Sequence, residues 1–107
     1  MNEVPQPPSL QSTIGSTARL SFPDGSSMVW RVVDEIRRHE DNEKILLLQR
    51  LQAVSEPAKE MFRFGYYIIG KKPKMKGKWV WGQFAPFITR SDFEAMVVEA
   101  REKHWIA

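Results

Sequence analysis

The chain has 107 residues, 42% of them hydrophobic and 27% charged, with 16 Lys and Arg against 13 Asp and Glu. That length suits one domain with one core, and the apolar fraction excludes wholesale disorder. The net charge of +3 is an average over unlike parts. Residues 61–90 hold seven basic side chains (Arg63, Lys71, Lys72, Lys74, Lys76, Lys78 and Arg90), no acidic one, and eight of the twelve aromatics; the remainder carries nine basic against thirteen acidic groups.

Residues 1–14 contain Pro5, Pro7 and Pro8 among Gln and Ser and show no apolar periodicity. They are expected to form a disordered N-terminal arm, with residues 15–107 as a single domain. The start of the chain has neither the basic region nor the apolar region of a signal peptide. No apolar run approaches the length of a membrane span, so no membrane partner is expected. Cysteine is absent, which removes disulfides, thiolate metal sites and Cys nucleophiles, and favours a reducing, cytoplasmic compartment.

From residue 17 the chain alternates weakly as far as Phe22, and Pro23-Asp24-Gly25 follows with turn chemistry. The segments 28–39 and 45–54 fit both a strand and a helix period. Trp30, Val32, Val33 and Ile36 favour strands, and Glu40-Asp41-Asn42-Glu43 suits a hairpin connection. Residues 62–70 (FRFGYYIIG) and 79–88 (WVWGQFAPFI) read as two further strands around 71–78 (KKPKMKGK), where Pro73 and Gly77 interrupt regular structure. A helix follows, with Ser91 as N-cap and Glu94 completing a capping box. Its apolar stripe is Phe93, Met96, Val97, Ala100 and His104, with Trp105 and Ile106 as trailing anchor. The expected fold is α+β: a small bent antiparallel sheet of about five strands, SH3-like, with one C-terminal amphipathic helix. The alternative puts helices at 28–39 and 43–54 and resembles a winged helix with residues 71–78 at the wing tip.

Signatures of enzymes are missing. There is no phosphate-binding glycine loop, no nucleophile elbow and no H-E-x-x-H. Pro23-Asp24 has no downstream Asp or Glu two residues before a Lys, so a PD-(D/E)-x-K nuclease triad is absent. Gly65 to Gly70 (GYYIIG) fuses into one strand what the GIY-YIG nucleases keep about ten residues apart. His39 and His104 have no neighbouring ligand pattern, and no catalytic residue, metal site or cofactor is assigned. Asp34, Glu35 and His39 are the residues a small enzyme would use; a solvated hairpin explains the acidic ones equally well.

One feature rises above background. Lys71, Lys72, Lys74, Lys76 and Lys78 concentrate positive potential at one hairpin tip, where phosphate neutralisation gives affinity independent of sequence. Trp79 and Trp81 share a strand face, with Tyr66 or Tyr67 beside them according to register. Aromatics beside a cationic loop form a stacking platform for unpaired bases. A non-enzymatic nucleic-acid-binding or accessory domain is therefore expected, its contacts drawn from Arg63, Tyr66, Tyr67, the five lysines, Trp79 and Trp81, and its ligand DNA or RNA. The alternative is a protein–protein adaptor or inhibitor whose cationic hairpin docks on an acidic partner. The tryptophans also suit a purely structural role beneath the helix, and the lysines a role in solubility.

Overall fold

β-Branched and aromatic residues at period two carry the chain through a continuous meander. The computed structural model describes residues 8–107 and contains β1 Thr17–Ser21, β2 Ser27–Asp41, β3 Lys44–Ala53, β4 Glu60–Ile69, β5 Trp79–Trp81 and α1 Arg90–Glu102. The strands pair antiparallel in the order β1-β2-β3-β4-β5. β1 and β5 do not pair with each other, so the curled sheet is an open half-barrel. The α+β reading holds, and the winged-helix alternative is overturned: 28–39 and 45–54 form the long β2–β3 hairpin. Its turn is closed locally, the Asp41 carboxylate accepting from the Glu43 amide at 2.7 Å.

β3 is the central strand, and Ile45, Leu46, Leu47, Leu48 and Gln49 are all buried. A run buried on both faces needs a cover on each side. On one face Ile36, Leu46, Leu48 and Tyr66 pack against Met96, Ala100 and Trp105 of the C-terminal segment. On the other, Trp30, Val32, Leu51 and Ala53 cluster with Leu20, Phe22, Met28 and Met61. A register shift between Val32 and Asp34 lets β2 serve both clusters. Before it, Trp30 and Val32 lie opposite Ala53 and Leu51; after it, Asp34 lies opposite Arg50. The bulge thereby strengthens the curl.

Three local expectations are corrected. β5 spans Trp79–Trp81 only, where 79–88 was expected. The Gly82 amide makes the last backbone bond to β4, donating to the Tyr66 carbonyl at 2.8 Å, and Pro86 has no N–H to donate, so 83–88 is irregular, with Phe84 79% and Phe87 90% exposed. The helix N-cap is Thr89 rather than Ser91: its hydroxyl accepts from the Asp92 amide at 3.2 Å. The docked stripe is Met96 and Ala100 with Trp105; Phe93 is half exposed and His104 is exposed. His104 adopts a left-handed φ of 59°. The Trp105 amide bonds the Ala100 carbonyl and the His104 amide the Arg101 carbonyl, so the chain turns sharply and Trp105 folds back beside Ala100.

Of the expected arm, residues 1–7 lie outside the described residues. Residues 8–14 are laid against the sheet, and Thr13 is buried. No helix among the described residues is long and apolar enough to cross a membrane.

Candidate functional site

Alternation along β4 sends its side chains to opposite faces, and this sorts the candidate residues. Phe62, Phe64, Tyr66 and Ile68 lie on the helix face; Arg63, Tyr67 and Ile69 lie on the other. Tyr67 is paired with Trp81 and Ile69 with Trp79. Thr13, Ala18, Gln49, Arg63, Tyr67 and Trp81 line one cavity of about 330 Å³. Ala18 on β1 and Trp81 on β5 bound the same space although three strands separate theirs in the sheet. The face that carries Arg63, Tyr67, Trp79 and Trp81 is therefore the concave one.

Two glycines make the aromatic arrangement possible. A Cβ on Gly65 would come within 2.1 Å of the Trp81 indole, and one on Gly82 within 2.0 Å of the Tyr66 ring. The Trp81 indole thus occupies the space a side chain at Gly65 would fill on the concave face, and the Tyr66 ring the space of one at Gly82 on the helix face. Tyr67 meets Trp81 edge-on with ring centroids 5.1 Å apart. The Arg63 guanidinium sits 4.8 Å from the Trp81 ring centroid, within cation–π range. Its Nε donates to the Gln49 side-chain oxygen at 2.9 Å. Burial lowers the Arg63 pKa from its ordinary value, because the half-enclosed guanidinium has given up water.

The tryptophans are neither core nor fully open. Trp79, Trp81 and Tyr67 are half-buried on the face opposite the helix, so the helix does not consume them. Tyr66 is separated from this group. It is buried on the helix face, where its hydroxyl accepts from the Phe84 amide at 3.3 Å and Lys44 lies 5.3 Å from its ring.

The lysine-rich connector 71–78 lies beyond the ends of β4 and β5, and every residue in it is exposed. Lys71 pairs with Glu43 at 2.8 Å. No ion pair involves Lys72, Lys74, Lys76 or Lys78 among the described residues. Gly77 takes a φ of +76°, and Gly70 meets Lys76 in an isolated bridge that folds the connector back on itself. The cationic tip therefore stands next to Trp79, at the end of the concave face.

The concave face also holds Thr13, Arg37 and Gln49, which the sequence did not single out, gathered around Glu35. Arg37 pairs with Glu35 at 3.0 Å, and the Glu35 carboxylate accepts from the Thr13 hydroxyl at 2.7 Å. The Gln49 amide donates to the same hydroxyl at 3.0 Å. Only the β2–β3 register reveals this set: Glu35 lies opposite Gln49 and Arg37 opposite Leu47. The glycine signal was available in the sequence, since Gly65 interrupts an otherwise apolar strand.

Asp34, Glu35 and His39 are not gathered into one site. Asp34 and Glu35 point to opposite faces, and His39 is exposed. No group of three or more metal-ligating side chains occurs among the described residues. Comparison with family models, with curated proteins and with solved structures returned no match to this chain.

Proposed function

We propose that this protein binds single-stranded nucleic acid along the concave face of the half-barrel, without catalysing a reaction. The observation that carries the reading is the Tyr67–Trp81–Arg63 assembly, half-exposed beside a cavity and continued at one end by Trp79 and the lysine connector. Bases stack on aromatic faces whatever their sequence, at about 1–3 kcal/mol per base, while cations track the phosphates. The curved sheet supports both: packed rings inside the bowl, exposed lysines at its rim. Arg63 holds the Trp81 plane, and its own planar cation adds a second stacking surface. The cysteine-free composition suits a cytoplasmic role.

Titration of a fluorescent 15-nucleotide thymidine strand by anisotropy, at low and moderate salt, tests the reading. Binding is expected to weaken steeply with salt, and Lys72, Lys74, Lys76 and Lys78 changed together to Gln should flatten that dependence. Undetectable binding at low salt would refute it.

A second reading is favoured by the helix face. There Tyr66, Ile68, Val80 and Phe84 line a groove of about 380 Å³ beside Lys71 and Lys72. An acidic protein segment with an apolar anchor fits that chemistry, which would make the chain an adaptor. A stoichiometric complex from native lysate that survives nuclease treatment would favour it over the first.

A further inference from the structure

Residues 8–13 run over the concave face. The Trp79 indole N–H donates to the Pro8 carbonyl, and the Arg37 guanidinium donates to the Leu10 carbonyl at 2.7 Å and to the Gln11 carbonyl. Thr13 fastens the end of this segment through Glu35 and Gln49. The polar partners of the segment thus extend from β5 to β2 and β3, and each belongs to the face proposed above to take a nucleic-acid strand.

The character of these bonds is informative. Ahead of Thr13 the segment is held through backbone carbonyl oxygens, and Pro8, Ser9, Gln11 and Ser12 are exposed. Thr13 alone in 8–14 is buried, at 8% exposure. Immediately beyond it the chain is anchored, the Gly15 amide donating to the Val32 carbonyl at 2.8 Å and the Ser16 amide to the Thr13 carbonyl at 3.0 Å, so what can lift from the face is the segment ahead of this anchor. A spaced row of oxygen acceptors facing an arginine and an indole N–H is what a phosphate backbone would also present. Phosphate oxygens are the stronger partners of a guanidinium, being charged and able to accept two parallel hydrogen bonds.

We propose that segment 8–13 is a built-in, displaceable occupant of the strand-binding face, and that Arg37 and the Trp79 N–H are ligand contacts held by its carbonyls until a nucleic-acid strand takes them over. The proposal rests on the functional reading above and adds to it a binding residue, Arg37, and a regulatory contact. Displacement is a competition inside one molecule, so the closed population reduces the apparent affinity by the fraction of molecules left open. Whatever loosens the segment without removing a ligand contact raises affinity.

Opposite signs in two full-length variants test this with the same thymidine 15-mer. Thr13→Val keeps the side-chain volume but loses the hydroxyl that joins Glu35 and Gln49. It should tighten strand binding by about threefold to tenfold, the range expected from one or two hydrogen bonds. Arg37→Gln also loosens the segment but removes the phosphate donor, and should weaken binding several-fold. If Arg37 only held the segment, its loss would tighten binding as Thr13→Val does, and the assignment of Arg37 would be overturned. In the unaltered protein, amide hydrogen exchange across residues 9–15 should accelerate when the strand is added, while exchange in β4 and β5 slows. Binding with unchanged or slower exchange at 9–15, or weaker binding by Thr13→Val with an unchanged urea midpoint, overturns the displacement alone. Failure of the unaltered protein and of Thr13→Val to bind the strand at low salt removes the functional reading and this proposal together.

Discussion

Trp81 is the residue on which the concave face turns. Its indole rests where β4 has no side chain, is met edge-on by Tyr67, and carries Arg63 on its ring. Moving it costs three contacts at once. Gly65→Ala would place a methyl group about where the indole now lies, the ideal Cβ being 2.1 Å from the ring. The expected outcome is a loss of roughly 1–3 kcal/mol in urea unfolding, as for an overpacked site, together with weaker strand binding. The mirrored substitution Gly82→Ala would strike Tyr66, on the helix face. It should cost stability in the same way and leave strand binding per folded molecule largely intact. Binding lost equally in both variants would contradict the assignment of the concave face. Residues 62–69 alternate plainly enough for the sequence to sort their faces, and a strand glycine hinted at a close approach. Which ring approached it was set by the β4–β5 register, which three residues of β5 fix and which no local pattern reveals.

At the scale of elements, the helix illustrates how far local chemistry reads. The acceptor that caps it is the Thr89 hydroxyl, two residues earlier than the capping box in the sequence suggests. Ser91 and Glu94 satisfied the pattern, but a Thr with an Asp three residues later is an equally good signal, and the docked position of Met96 and Ala100 decides between the two. Thr89→Ala should therefore cost about 1 kcal/mol, whereas Ser91→Ala should be within a few tenths of neutral, both by chemical denaturation. The reverse order would restore the Ser91 cap. At its other end the helix is tied to β2 through Asp34, whose carboxylate lies 3.3 Å from Lys103 Nζ. Partial burial pushes the Asp34 pKa up. The hydrogen bond from the Glu35 amide and the ion pair with Lys103 outweigh it and hold the carboxyl below its ordinary value of 3.8. A carboxylate with a depressed folded-state pKa contributes stability above its unfolded-state value, and that contribution fades as pH falls through the folded-state one. Asp34→Asn should thus lower the urea midpoint at pH 7, and the gap from the unaltered protein should close progressively below pH 4. A gap independent of pH would show that the group acts through packing alone.

Across the whole molecule, charge and aromatic residues are distributed by face and by end. The antiparallel sheet and the C-terminal helix were legible in the sequence because β-branched and aromatic runs alternate with clear turns, although 28–39 and 45–54 fitted a helix period as well. The irregular stretch 83–88 was not, since Phe84, Phe87 and Ile88 have strand character, and only the loss of pairing beyond β5 leaves Phe84 and Phe87 exposed while Ile88 packs against the helix-side core. Nor was the course of residues 8–13. They have no apolar period, and their attachment depends on Arg37, Glu35 and Gln49, which lie more than twenty positions away along the chain. The seven basic residues over 61–90 drew attention to one hairpin, and the fold divides it: Arg63, Tyr67, Trp79 and Trp81 face the bowl, Tyr66 backs the helix, and the lysines stand at the tip. The central claim is that the bowl, rather than the tip alone, meets the ligand. Quenching of tryptophan fluorescence by the thymidine strand tests it most directly, because Trp30 and Trp105 are buried and Trp79 and Trp81 are the half-exposed pair. Saturable quenching in the unaltered protein, largely abolished in a folded Trp79→Phe/Trp81→Phe variant, is the expected result. Strand binding detected by anisotropy with no change in tryptophan emission would contradict it.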